Sequence, residues 1–329
     1  MIHFLHLIRY TNLIIIAITM YGIRFFYFSI GGKINPTALS EPFDYLLLVV
    51  STLFIAAAGN CINDYFDIKA DRINRPESVI ITKHFSKRFA ISTHWILNSI
   101  AFLISIYLSI RYHTYWYVFI HLLSINALWI YSIYLKKKFL IGNLLIACLT
   151  ALVVLLCGIH FYQLCSYTEG ISLHAKIKIP VSIDQTIVYW KQLFLDAGNF
   201  IILLCSFSFI LNLSREIIKD IEDVEGDLAI EAKTIPIVMG KKAAKRIVIA
   251  TLMSLPIAYF SFLLFYVNSE ILLHIIATFT LFCSSMIICI SIILLLFNNQ
   301  TRAQYKRIDR IIKVAMFMGI LTPFYWWLM

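Results

Sequence analysis

Long apolar runs separated by short polar segments make up most of this chain. The runs are roughly twenty residues long, which is the length that an α-helix needs to cross about 30 Å of hydrocarbon. A helix pairs its own backbone N–H and C=O groups, so it can lie in lipid. The pattern predicts an all-α, polytopic membrane protein with about nine transmembrane helices, at residues 8–30, 43–63, 90–110, 114–135, 139–161, 195–215, 246–267, 271–297 and 311–328.

The composition agrees with a membrane protein and leaves little chain for a soluble domain. Hydrophobic residues make up 60% of the 329 positions, and charged residues only 14%. We therefore treat residues 1–329 as a single transmembrane domain. The first run is interrupted by Asn12 and Arg24 and is too long for the apolar part of a signal peptide, so we predict a retained span. The cysteines form no Cys-x-x-Cys pair, which argues against a disulfide framework or a zinc site.

Basic residues predict the orientation of the spans. Lys and Arg concentrate in every second loop, whereas the outer segments hold few Lys and Arg residues. The longest outer segment is 162–194, and the sequence does not indicate its role. Because positive loops face the cytoplasm, we predict a cytoplasmic N-terminus in the cell inner (cytoplasmic) membrane. The net charge of +10 then reflects topology and contact with membrane lipids, and a nucleic-acid partner is excluded. The basic loops are residues 69–88, 136–138, 215–246 and 302–310.

Acidic residues cluster at two points that match in the topology. Eleven of the eighteen lie in the windows 64–77 and 216–231, each after a span that runs toward the cytoplasmic side. The equivalent positions suggest two four-helix halves, 8–135 and 139–267, followed by an ancillary pair of helices. The two windows are therefore predicted to face the same side of the membrane.

Helical spacing gives the geometry of these windows. If the second span continues past the membrane boundary, Asn63, Asp67 and Asp71 share one face, with Asp64 about 100° round the helix. In the second window the spacing i, i+4, i+7 and i+11 again predicts one face of one helix. That second stripe consists of Glu216, Asp220, Asp223 and Asp227.

Two acidic stripes at helix ends raise an energetic problem that a cation solves. Like charges at i, i+4 and carboxylates near a helix C-terminus each cost on the order of a few tenths of a kcal/mol. Oxygen ligands without clustered Cys or His indicate a hard cation, Mg²⁺ or Ca²⁺. Mg²⁺ takes one or two carboxylates and completes its shell with water and phosphate oxygens, so the stripes predict a diphosphate site. The alternative is that these charges only solvate the loop ends.

The polar motifs resemble those of a known family. The stretch "NDYFDIKADRINRP" (63–76) is similar to the first Asp-rich motif of the UbiA-type intramembrane prenyltransferases, and "REIIKDIEDVEGD" (215–227) is similar to the second. Shorter similarities follow the same order along the chain: "IRYTN" (8–12), "YSIYLKK" (131–137), "IGN" (141–143) and "KTIPIVMG" (233–240).

The resemblance implies a helical fold around a central cavity that moves a prenyl group from a prenyl diphosphate to an acceptor, with Mg²⁺ as cofactor. It implies that a dry cavity protects an allylic cation from water. Position by position, it implies Mg²⁺ diphosphate-binding roles for Asn63, Asp67, Asp71, Asp223 and Asp227, and catalytic roles for the four aspartates among them. It implies close support from Asp64 and Asp220, and diphosphate contacts from Arg75, Tyr131 and Lys136.

Some of these residues have simpler alternatives. Arg75 could extend to lipid headgroups, and Tyr131 could belong to an interfacial aromatic belt. Asn12, a polar residue inside a span, is a candidate for lining the site or for bonding neighbouring helices. For His121 we predict a hydrogen-bonded packing role.

The identity of the acceptor is the most open of these predictions. The sequences of the two motifs are most similar to those of the family branch that alkylates geranylgeranylglyceryl phosphate. This resemblance implies a geranylgeranyl donor. The chain departs from the family's usual Arg-Pro-x-Pro-Ser-Gly continuation at residues 78–82. The alternative is an aromatic acceptor of quinone biosynthesis, of the 4-hydroxybenzoate or dihydroxynaphthoate type. A cation-coupled transporter is a more remote alternative, because such sites usually lie near the midplane on broken helices.

Overall fold

The structure is a computed structural model that describes residues 2–31, 41–74, 76–174, 183–266, 271–297 and 301–327. Side chains are described in these ranges except at 28–31, 78, 165–174, 183–197, 259–282 and 325–327. Arg75, one of the predicted site residues, lies outside the described residues.

Helices make up nearly all of the described chain. Apart from an isolated bridge between Ile81 and Phe85, the described ranges contain no β structure. The helices are α1 (Ile2–Leu7), α2 (Tyr10–Gly31), α3 (Pro42–Asn74), α4 (Lys87–Arg111), α5 (Trp116–Ile133), α6 (Ile141–His174), α7 (Ile183–Glu222), α8 (Val224–Ala229), α9 (Ile235–Val238), α10 (Lys241–Tyr266), α11 (Ile271–Leu296) and α12 (Arg302–Trp327).

The predicted class of fold is confirmed. Each predicted span falls on a helix. Within the described residues six helical segments are long and apolar enough to cross a membrane, and the count of nine crossings stays a prediction. The six are Tyr10–Tyr27, Pro42–Asn74, Lys87–Arg111, Trp116–Ile133, Ile141–Leu164 and Gly198–Glu222. The chain is thus an all-α, multi-pass integral membrane protein.

Two helices extend beyond their predicted ends. The second span continues as α3 to Asn74, so the first polar motif is helical, as predicted. Much of the predicted outer segment 162–194 is also helical, since α6 continues to His174 and α7 begins at Ile183.

Apolar packing joins the helices into one body with two main clusters. The first cluster includes residues of α2, α3, α5 and α6, and the second includes residues of α7, α10, α11 and α12. Helix α12 also packs against α2. Helix α12 thus packs between α2 and α7, and the division into two four-helix halves with an ancillary pair stays a prediction.

Candidate active site

The first polar motif forms a stripe on the part of α3 that extends beyond the predicted span. Asn63 donates from Nδ2 to Asp67 Oδ2 over 2.7 Å, one turn further along the helix. Asp67 is only 6% exposed, and Asp71, another turn on, is half-buried. The predicted alignment of these three side chains agrees with the course of α3.

Lys136 reaches this stripe from another helix. It lies in the 3-10 turn Leu135–Lys137 that follows α5, and its ammonium donates to the Asp67 carboxylate. Burial opposes the charged form of Lys136, but the Asp67 carboxylate outweighs it and raises the pKa above its ordinary value. The lysine therefore stays protonated beside the first motif.

Asp64 points to a different partner from that of Asp67. It accepts a hydrogen bond from Arg9 Nη2 at 2.7 Å, where α1 ends and α2 begins. Arg9 is a site residue that the sequence reasoning did not name, although it lies in the quoted "IRYTN" stretch. The salt bridge ties the start of α2 to the first motif.

The second motif does not lie on one unbroken helix face, so that prediction is wrong. Helix α7 ends at Glu222, the chain bends at Asp223, and α8 begins at Val224. Beside the bend, α8 packs closely on α3. A methyl group on Gly226 would lie 2.9 Å from the Ala70 carbonyl oxygen and would collide with the Asn74 amide.

Asn74 joins the two motifs. Its Oδ1 accepts from the Gly226 backbone N–H at 2.9 Å, and its Nδ2 donates to the Asp223 carbonyl oxygen at 3.1 Å. The sequence reasoning missed this residue. The signal was available, because Asn74 continues the i, i+4, i+8 series of Asn63, Asp67 and Asp71 at i+11.

Arg302, at the start of α12, reaches both motifs. Its Nη2 donates to the Asn74 carbonyl oxygen at 2.9 Å and to Asp223 Oδ1 at 3.3 Å. Its Nε lies 3.6 Å from Glu222 Oε1. No feature of the sequence pairs it with residues 228 positions away, so only the fold reveals this contact.

Asp220 and Asp227 occupy different surroundings within the second motif. Asp220 accepts from Asn143 Nδ2 of α6 at 2.8 Å. Asp227 is buried on α8, and burial raises its pKa to about 6 although Lys136 acts to lower it. Lys136 therefore donates to the first motif, and its charge also acts to lower the pKa of Asp227 in the second.

The donor set suits a hard cation that binds together with its substrate. Among the residues that the structure describes, no three His, Cys, Asp or Glu side chains form a group that could hold a metal ion by themselves. Mg²⁺ needs few protein ligands when phosphate oxygens complete its shell. Asn63 Oδ1 is buried and accepts no hydrogen bond within the described part of the chain, and the Lys136 ammonium already compensates Asp67. Asn63 and the carboxylates of both motifs therefore fit Mg²⁺ held with a diphosphate.

A cavity of about 380 Å³ opens next to this polar end. Asn12, Asn63 and Tyr131 line it, as does His121, which is buried and hydrogen bonded to Ser51 Oγ at 2.8 Å. Asp67, one turn beyond Asn63, is not among the lining residues. Most of the remaining wall is apolar, so a polar end leads into a largely apolar chamber. The charged side chains that also line it are Arg9, Arg215, Glu216, Lys219 and Lys313.

A family model matches this arrangement of helices and motifs. The model of the UbiA prenyltransferase family matches residues 16–321. This chain belongs to the UbiA prenyltransferase family. The prediction of a transferase that transfers prenyl groups is thereby confirmed.

Curated relatives of this UbiA family member share one name. A digeranylgeranylglyceryl phosphate synthase of Methanothermobacter thermautotrophicus is 31% identical over 85% of this chain and 84% of its own length. A protein of the same name from Methanobrevibacter smithii is 32% identical over 65% of this chain and 64% of its own length, just under two thirds.

Solved structures share the fold of this UbiA family member along nearly the whole chain. A structure of a digeranylgeranylglyceryl phosphate synthase in membranes has a TM-score of 0.60 at 24% identity, covering 98% of this chain and 96% of the other. A UbiA homolog from Archaeoglobus fulgidus, bound to DMAPP and Mg²⁺, has a TM-score of 0.54 at 15% identity, covering 97% and 98%.

Proposed function

We propose that this protein transfers a geranylgeranyl group from geranylgeranyl diphosphate to geranylgeranylglyceryl phosphate. One observation carries the proposal: an apolar cavity ends at Asn63, one turn before Asp67 and its partner Lys136. A prenyl diphosphate has the same polarity, with an anionic head and an apolar tail. The names of the curated relatives support this acceptor.

The donor diphosphate is assigned to the polar end. Asn63, Asp67, Asp71, Asp223 and Asp227 would hold Mg²⁺, as the Mg²⁺ and DMAPP bound to the Archaeoglobus fulgidus homolog support. When bound, Mg²⁺ stabilises the negative charge that develops on a departing diphosphate.

Other side chains bind and orient this head. Lys136 and Arg75 supply positive charge, and Tyr131 lines the adjoining wall of the cavity. Asp64 and Asp220 act as positioning residues through Arg9 and Asn143. Asn12 lines the cavity from α2.

The apolar chamber serves the prenyl tail and excludes water from the reacting carbon. In the reaction, the bond between the prenyl C1 and the diphosphate oxygen breaks, and diphosphate leaves with the electron pair. The hydroxyl oxygen of the acceptor forms an ether bond to C1 and loses its proton.

The distribution of basic residues supports a cytoplasmic position for the polar end and the N-terminus, in the cell inner (cytoplasmic) membrane. Membrane lipids would surround the exposed apolar faces of the helices. We further propose that residues 1–329 act as one domain, with related halves at 8–135 and 139–267.

The decisive experiment is an acceptor panel. Protein purified in detergent would receive Mg²⁺ and labelled geranylgeranyl diphosphate, together with geranylgeranylglyceryl phosphate, 4-hydroxybenzoate or dihydroxynaphthoate. We expect labelled diether lipid with the first acceptor. Turnover of an aromatic acceptor alone would refute the acceptor assignment, and failure of every allylic donor and acceptor would refute the enzyme assignment.

A further inference from the structure

We propose that the acceptor's phosphate binds to a cationic wall of the cavity formed by Arg215 and Lys219 of α7 and Lys313 of α12. This inference rests on the proposed function. It adds a second anion site to the one at Asp67 and Lys136, which is assigned to the donor diphosphate.

The charges that line the cavity point to an anion. Among the described lining residues, the charged side chains are Arg9, Arg215, Lys219, Lys313 and a single carboxylate, Glu216. Arg9 already forms a salt bridge with Asp64. The other three cations face the same chamber, and they outnumber the two carboxylates that pair with them, Glu216 and Asp309.

The register of α7 separates these cations from the acidic motif. Each residue of an α-helix is turned by about 100° about the helix axis. Measured from Glu216, Arg215 lies about 100° and Lys219 about 60° to one side, whereas Asp220 lies about 40° to the other side. Asp220 bonds to α6 through Asn143, whereas Arg215 faces α12. One helix thus presents acid on one side and base on the other.

Ion pairs fix the basic wall without exhausting its donors. Arg215 Nε lies 3.0 Å from Asp309 Oδ1, and Lys313 Nζ lies 2.7 Å from Asp309 Oδ2. Glu216 Oε1 accepts from Arg215 Nη1 at 3.2 Å and from Lys219 Nζ at 2.7 Å. A guanidinium has five N–H donors and an ammonium three, so donors remain for a ligand.

A phosphomonoester matches this wall in charge and in bonding. It carries about −1.5 to −2 charges at pH 7 and offers three strong acceptor oxygens. Arg binds phosphate through paired N–H groups, and Lys adds a point charge. Arg215 is 14% exposed and Lys219 27%, so their contacts would form away from bulk water, whereas Lys313 is 45% exposed. The apolar walls beside them can receive the alkyl chain of the same molecule.

The test uses the full-length protein in detergent with the variants Arg215→Gln, Lys219→Gln and Lys313→Gln. Lys245→Gln is the matched control, because Lys245 bonds to the Phe297 carbonyl away from the cavity. For each folded, monodisperse variant, we would measure the KM of geranylgeranylglyceryl phosphate, the KM of geranylgeranyl diphosphate, and turnover of the unphosphorylated alcohol. Binding of geranylgeranylglyceryl phosphate would also be titrated in EDTA without donor, where the metal site cannot contribute.

We expect Arg215→Gln and Lys219→Gln to raise the acceptor KM and Kd by roughly tenfold or more, the loss of a charge-assisted hydrogen bond. The donor KM and turnover of the alcohol should change less than about threefold, and Lys245→Gln should match the wild type. Unchanged acceptor binding in the variants, or an equal loss of turnover with the unphosphorylated alcohol, would overturn the inference. Turnover of geranylgeranylglyceryl phosphate by the wild type would still uphold the proposed function in that case. A wild type inactive with geranylgeranylglyceryl phosphate would overturn the proposed function itself.

Discussion

Replacing Asn74 by Ala tests whether the two acidic motifs must be held together. The side chain is buried, at 9% exposure, and forms two hydrogen bonds to the second motif. Alanine removes both and leaves the Gly226 N–H and the Asp223 carbonyl without this partner. The helix should remain intact, because alanine is a good helix former.

The expected loss can be worked from these contacts. A buried backbone group left without a partner costs about 1–3 kcal/mol. Gly226 is buried and pays this cost, whereas water can reach the partly exposed Asp223. A total of about 2 kcal/mol would lower the equilibrium constant for docking of α8 on α3 by about 30-fold.

The assay is kcat/KM for geranylgeranyl diphosphate in detergent, with thermal unfolding measured on the same samples. Asn98→Ala is the matched control, because buried Asn98 bonds to His94 within α4 and does not line the cavity. We expect Asn74→Ala to lower kcat/KM by as much as about 30-fold and Asn98→Ala to lose stability only. Wild-type kcat/KM in folded Asn74→Ala would refute the reasoning.

Three further outcomes are expected. Asp67→Asn and Asp223→Asn should each lower activity by orders of magnitude in folded protein. The control is Asp44→Asn, which should lower the Tm alone, because Asp44 accepts hydrogen bonds from Tyr107 and Tyr112. Wild-type rates in both motif variants would remove the metal assignment. Chelation by EDTA should abolish turnover and Mg²⁺ should restore it, and undiminished turnover in EDTA would contradict the metal requirement. Gly226→Ala should reduce kcat/KM at least tenfold, because a methyl group at this position collides with α3. The control Gly198→Ala should be neutral, because there is open space around Gly198. Equal activities of the two variants would show that the close approach of α8 to α3 is unimportant.

The cationic wall explains how one cavity can tell two phosphorylated lipids apart. Both proposed substrates have an anionic head and an apolar tail, so apolar burial alone does not distinguish them. In these proposals, carboxylates bind the diphosphate of the donor through a divalent cation. The phosphate of the acceptor is bound directly by Arg215, Lys219 and Lys313. Discrimination then follows from opposite local charge on two sides of α7.

The sequence alone determined the class of fold and the alignment of three residues of the first motif. Apolar runs of spanning length leave a helix as the structure that satisfies the backbone in lipid, and each of the nine predicted spans falls on a helix. Spacing along one continuous helix also placed Asn63, Asp67 and Asp71 together. These are local properties, set by the period of the helix.

Only the tertiary structure decided how the motifs meet. The chain bends at Asp223, and α3 then leaves no space for a side chain at Gly226. The contact of Arg302 with Asn74 joins residues far apart in the chain. The division of α7 into an acidic side and a basic side appears only once α6 and α12 are in place. Periodicity reports which residues share a helix face, but the partner of that face depends on packing between helices, which no local pattern encodes.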